Sequence, residues 1–107
     1  MRLFLTAVAA ASLSFASAQA APAPVTVKIE NFTFNAQTIT VAPGTTVTWL
    51  NDDDIPHTVV AADNKAFRSK VLDTGDKFTF TFASPGTYDY YCSIHPHMTG
   101  KVVVKGS

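Results

Sequence analysis

Short runs of alternating apolar and polar residues, separated by turn residues, fill most of the chain. Val25, Val27 and Ile29 alternate with polar positions, a period of two that predicts a strand with one buried face. The alternation slips at Glu30-Asn31 before Phe32 and Phe34, which puts a bulge or bend there. Ile39 and Val41 alternate next, Pro43-Gly44 predicts a turn, and Val47 and Trp49 continue on one face with Thr46 and Thr48 on the other. His57 to Ala62 reads as a further strand. Phe78, Phe80 and Phe82 alternate with Thr79 and Thr81, and this stripe is expected in the core with Trp49. Pro85-Gly86 turns the chain again. Tyr88, Tyr90 and Tyr91 read as plain strand residues leading into Cys92, and three valines between Lys101 and Lys105 mark a closing strand. From Ala61 to Asp76 the pattern is less regular and fits either a poor edge strand around Phe67 to Leu72 or a helical turn. Strands at this spacing without a helical period predict an all-β fold, an antiparallel β-sandwich or barrel.

The opening of the chain has a different texture. Arg2 supplies a short positive start, Leu3 to Phe15 is mostly apolar, and Ala18-Gln19-Ala20 fits a small-residue cleavage pattern. Residues 1–20 are therefore expected to be a cleaved signal peptide, too short and Ala/Ser-rich for a membrane span. Residues 21–24, Ala-Pro-Ala-Pro, read as a short leader, and 25–107 as one domain with one core. The whole chain has eight Lys+Arg against eight Asp+Glu. Such a balance offers no basic surface for nucleic acid or an anionic membrane. A periplasmic or otherwise secreted monomer is the expectation.

Cysteine use sharpens the picture. The one Cys, Cys92, cannot form an internal disulfide, and a free thiol in an oxidising compartment is a liability unless buried or metal-bound. Without the leader, Met98 is the only methionine, and Cys92, His95, His97 and Met98 fall within seven residues. His57 lies in an earlier Asp-rich turn. A thiolate, two imidazoles and a weak axial thioether form the donor set of a blue copper electron-transfer site. The candidate ligands are His57, Cys92, His95 and Met98. His97 reads as an exposed neighbour, and Asp52-Asp53-Asp54 as turn chemistry and solubility. Pro56 and Pro96 stiffen the two ligand loops, and Gly100 gives the backbone freedom to enter the last strand.

The segments Val47-Thr48-Trp49-Leu50-Asn51 to Asp54-Ile55-Pro56-His57, and Gly86 through Tyr91 into Cys92-Ser93-Ile94-His95-Pro96-His97-Met98, resemble the cupredoxins. Two residues separate Cys92 from His95 and two separate His95 from Met98, which resembles the plastocyanin/amicyanin-like group within that family. The resemblance covers about Val25 to Lys105. It implies a Greek-key β-sandwich, one type 1 copper ion and soluble single-electron transfer between transient donor and acceptor proteins. The exposed edge of His95 would be the electron port, rimmed by Ile94, Pro96 and Pro56. No enzymatic role is expected, since the chain has too few His for a second, catalytic copper cluster. A copper carrier or storage protein would use the same ligands and is the alternative reading. A metal-free binding module is a third. Two positions depart from the family: His97 is extra in the loop beside Met98, and where many members have Asn directly after the first ligand His, a side chain that ties the two ligand loops together, this chain has Thr58. The Thr58 backbone N–H remains available to the Cys92 sulfur.

Overall fold

The computed structural model describes residues 21–106. The signal peptide expected at 1–20 lies outside the described residues. Eight strands follow in chain order: β1 (Val25–Glu30), β2 (Thr33–Asn35), β3 (Thr38–Val41), β4 (Thr45–Asn51), β5 (Val60–Ala61), β6 (Lys77–Phe82), β7 (Gly86–Tyr91) and β8 (Thr99–Val104). They form two four-stranded sheets, ordered β2-β1-β4-β6 and β3-β8-β7-β5. Among the described residues no helix is long and apolar enough to cross a membrane. The expected all-β sandwich holds. Its pairing is mixed rather than wholly antiparallel: β1 runs parallel to β4, and β3 parallel to β8. The chain leaves the first sheet after β2, forms β3 in the second, and returns as β4 alongside β1. That crossover is what a parallel neighbour requires.

The period of two does its work in the central strands. Val27 and Ile29 of β1, Val47 and Trp49 of β4, and Val102 and Val104 of β8 all point inward and are buried. Burying each such side chain contributes about 1.5–3 kcal/mol. Trp49 lies at the centre, with Phe67 stacked at 5.9 Å and Tyr90 edge-on at 5.4 Å. The Phe stripe on β6 is buried only at Phe82; Phe78 and Phe80 pack partly covered against the core, because β6 is an edge strand.

Two local expectations change, and one open alternative is decided. The expected strand His57–Ala62 shrinks to β5, because His57, Thr58, Val59, Val60 and Ala61 are all buried and no face is left for solvent. The segment after it turns at residues 62–66 and then runs as the poor edge strand expected around Phe67 to Leu72, beside β5. It is extended, held by isolated bridges His57–Leu72 and Val60–Arg68 and by burial of Phe67 and Leu72. Gly100 lies within β8 rather than at its entrance. The ring of Tyr90 packs directly over it, and a Cβ there would collide with the ring's Cζ and hydroxyl.

The slip after Glu30 is a turn. Glu30 pairs with Thr33, leaving Asn31 and Phe32 as the two central residues of the β1–β2 hairpin. Both have positive φ, 52° and 57°. Phe32 is thereby lifted off the strand face that buries Phe34 and stands 45% exposed. This turn, the β4–β5 loop and the β7–β8 loop lie at one end of the sandwich.

Candidate metal centre

His57 is delivered by the loop that leaves β4. Asn51, the last residue of β4, is fully buried and fixes that loop with its side chain. Its Nδ2 donates to the carbonyls of Ile55 (2.9 Å) and Leu72 (2.8 Å), while its Oδ1 accepts from the Asp53 amide (2.9 Å). The His57 backbone then exchanges both hydrogen bonds with Leu72, at 3.0 and 2.7 Å. With the backbone pinned this way, the His57 ring has no exposure and points into the end of the sandwich.

Cys92 follows β7 directly, and its loop closes on itself. The Met98 amide donates to the His95 carbonyl (2.8 Å), and the Cys92 amide donates to the Met98 carbonyl (3.0 Å). This tight ring of backbone hydrogen bonds aims the side chains of Cys92 and His95 at the same point. The Cys92 sulfur lies 3.9 Å from His57 Nδ1 and 3.7 Å from His95 Nδ1. All three ligand atoms fall within 4.8 Å of one another. Met98 is buried in the same loop, packed on the core and beside His95 in a shallow open depression. His97 is exposed, as expected, and is not among the clustered donors.

The sulfur sits in a field of donors. The Thr58 amide donates to it at 3.4 Å. Burial alone would push the Cys92 thiol up, but the Thr58 amide, the His57 and His95 rings and the Ile94 amide outweigh it and bring the thiol down to about 6. A thiolate is the form a metal binds.

Thr58 also replaces the missing Asn. Its Oγ1 accepts from the Ser93 amide at 2.8 Å and lies 2.7 Å from Ser93 Oγ. The two loops are therefore tied by a hydroxyl in place of an amide side chain.

Sequence reasoning passed over Asp53 and Phe32. Asp53 Oδ2 lies 2.9 Å from His57 Nε2. An ionised carboxylate only accepts, so Nε2 is the donating nitrogen of this pair, and Nδ1 is the nitrogen that faces Cys92. Hydrogen bonds from the His57 ring and the Phe32 amide hold the Asp53 carboxyl below its ordinary range. The four-residue separation of Asp53 and His57 was visible in the sequence, but the direction of each Asp in a run of three depends on the Asn51-anchored turn.

A metal fits this set. Ligand bonds of about 2.0 Å to nitrogen and 2.3 Å to sulfur, meeting near 120°, put the nitrogen and sulfur donors about 3.7 Å apart. The observed 3.9 and 3.7 Å agree with that. Soft thiolate with two imidazoles in a trigonal set selects copper among the common metals.

A buried, preformed mononuclear metal centre at one end of a β-sandwich defines the class. The profile of the cupredoxin-like domain matches residues 3–104, and the chain belongs to that family. Amicyanin from Paracoccus versutus is 35% identical over 81 residues, covering 72% of this chain and 61% of the relative. The match thus spans about three-fifths of that relative's length. A novel purple cupredoxin from Nitrosopumilus maritimus superposes with a TM-score of 0.73 at 35% identity, covering 76% of this chain and 99% of the other. The copper-containing nitrite reductase from Thermus scotoductus gives 0.74 at 33% identity, covering 82% of this chain but 24% of the reductase. The cofactor is copper, one ion of type 1.

Proposed function

We propose that this protein is an electron shuttle whose copper is held by His57, Cys92, His95 and Met98. The observation that carries this reading is the sulfur of Cys92 standing 3.9 and 3.7 Å from the two Nδ1 atoms in a pocket already fixed by backbone hydrogen bonds. Copper supplies a one-electron Cu(I)/Cu(II) couple. The chain supplies rigidity: Asn51 and Leu72 hold His57, Asp53 sets its tautomer, and Thr58 ties the loop of Cys92 to that of His57. Ligands that barely move between oxidation states keep the barrier to electron transfer low.

His95 is the half-buried member of the set, and its outer edge opens on an apolar depression of about 410 Å³ with Ile94, Pro96 and Phe32 around it. That edge is the proposed port for a redox donor and acceptor in turn. Partners meeting so small a surface bind weakly and leave quickly. Pro56, expected on the rim, is not part of this depression. The leader at 1–20 would deliver the domain to the periplasm or another external compartment, where it acts as a soluble monomer with no substrate of its own.

A redox titration of the copper-loaded protein tests this against the carrier reading. Repeated one-electron cycles with full retention of copper are expected. Rapid loss of Cu(I) to an apo-partner, with poor cycling in place, would instead support copper delivery.

A further inference from the structure

Phe32 combines three features that the fold does not explain. It occupies the second central position of a two-residue hairpin turn with φ of 57°, directly after Asn31 at 52°. Asn is at home in that conformation, and the following position strongly favours Gly; a bulky aromatic there is strained. Nearly half exposed, it adds little to the core. Yet its ring stands edge-on to both imidazoles, with centroids 5.0 Å from His95 and 5.7 Å from His57 at interplanar angles of 88°. Backbone strain persists where surrounding structure imposes it, and such positions cluster at functional sites.

What imposes it here is Asp53. One carboxylate oxygen accepts from the Phe32 amide at 3.1 Å and from His57 Nε2 at 2.9 Å. The hairpin turn and the ring of His57 are thus fixed to a single atom. Asp53 is itself held by Asn51 through its amide and by the Thr74 hydroxyl at its carbonyl (2.6 Å). The remaining wall of the opening is Ile94, His95, Pro96, His97 and Met98, so among the described residues Phe32 is the only piece of it contributed from outside the Cys92–Met98 loop.

We propose that Phe32 is a positioning residue of the copper centre: a strained aromatic clamp, anchored through Asp53, that braces both histidine rings and closes the open side of the site to small molecules. Edge-to-face packing keeps the His95 ring from swinging outward, and the bulk of the ring denies a chelator or anion the approach between His57 and His95. The clamp leaves the outer edge of His95 exposed, so it restricts ligand exchange without blocking contact with a protein partner. This inference rests on the four-ligand copper site proposed above.

The test is the rate at which bicinchoninate, a Cu(I) chelator, strips the Cu(I)-loaded full-length protein, measured alongside urea unfolding of the apoprotein. Phe32→Gly relieves the backbone and removes the ring. It is expected to keep its urea midpoint at or above the parent's while losing copper about tenfold faster or more. Phe32→Asn, which also tolerates positive φ, is expected to behave the same way, and Phe32→Tyr to retain the parent's rate. Equal stripping rates in the parent and both ringless variants would overturn the clamp, as would faster stripping that merely follows a lowered urea midpoint. Failure of the parent to bind one copper would instead remove the ligand assignment, and the clamp with it.

Discussion

The Ser93 amide donates to the Thr58 hydroxyl across 2.8 Å, joining the residue after the first histidine to the residue after the cysteine. The Thr58 amide meanwhile donates to the Cys92 sulfur at 3.4 Å. One residue therefore does two things: its backbone amide donates to the ligand, and its hydroxyl locks loop to loop while standing 3.8 Å from the same sulfur.

Thr58→Val separates them. The substitution keeps shape and backbone but leaves the part-buried Ser93–Thr58 contact unmade, which costs about 1 kcal/mol. Chemical unfolding is expected to show that loss, while the copper-loaded variant keeps the parent's visible spectrum because the amide still reaches the sulfur. A variant that loses its copper spectrum would show that the hydroxyl, not the amide, governs the sulfur.

Asp53→Ala removes the acceptor for His57 Nε2 and frees the ring tautomer. Loss of such an outer partner typically lowers metal affinity about 10–100-fold. Competition titration with a chromophoric chelator is expected to find that loss. Asp53→Asn, whose carbonyl oxygen still accepts, should recover much of it. Equal affinities in parent and Ala variant would show that the backbone alone fixes His57.

The Cys92 thiol of the apoprotein is expected to ionise near pH 6, below its ordinary value of 9.0, because its hydrogen-bond donors outweigh burial. For an acid whose folded value is depressed, the linked stability is fully present above the unfolded value and is lost as pH falls through the folded one. Apoprotein stability should therefore rise from about pH 6 to 9 through this group. Thiolate absorbance in the ultraviolet, with Cys92→Ser as the blank, checks the midpoint. Ionisation only above pH 8 would contradict the donor arrangement.

Gly100→Ala places a methyl group into the ring of Tyr90, which is buried and cannot step aside. Overpacking of this kind costs about 1–3 kcal/mol or more. A fall in the thermal midpoint is the expected reading. An unchanged midpoint would mean that the sheet accommodates the methyl without strain.

Alternation made the sandwich legible wherever a strand has one buried face: Val27, Ile29, Val47, Trp49 and Val102 all went where a period of two sends them. It failed where both sides are covered. His57 through Ala61 are buried without a break, so the segment read as a long strand when only Val60–Ala61 pairs as one. It also failed at Phe32, whose spacing from Phe34 matches a shared strand face; two consecutive positive φ values flip it to the opening of the site. Composition isolates the four candidate ligands in the sequence, and the structure clusters the donor atoms of His57, Cys92 and His95. Asp53 and Phe32 were not legible, since their roles arise from hydrogen bonds across the fold: the 3.1 Å contact joins residues 21 apart. The Thr58–Ser93 tie was equally hidden, being a substitute for a family feature that the sequence lacks.

The most direct measurement is a visible and EPR spectrum of the leaderless protein loaded with one equivalent of Cu(II). An intense blue thiolate-to-copper band with the narrow hyperfine splitting of a type 1 site is expected. Cys92→Ser should abolish the colour, and Met98→Gln should retain copper with a shifted potential. Copper bound stoichiometrically without that band, and with the spectrum of an ordinary tetragonal site, would contradict ligation by the thiolate and both imidazoles.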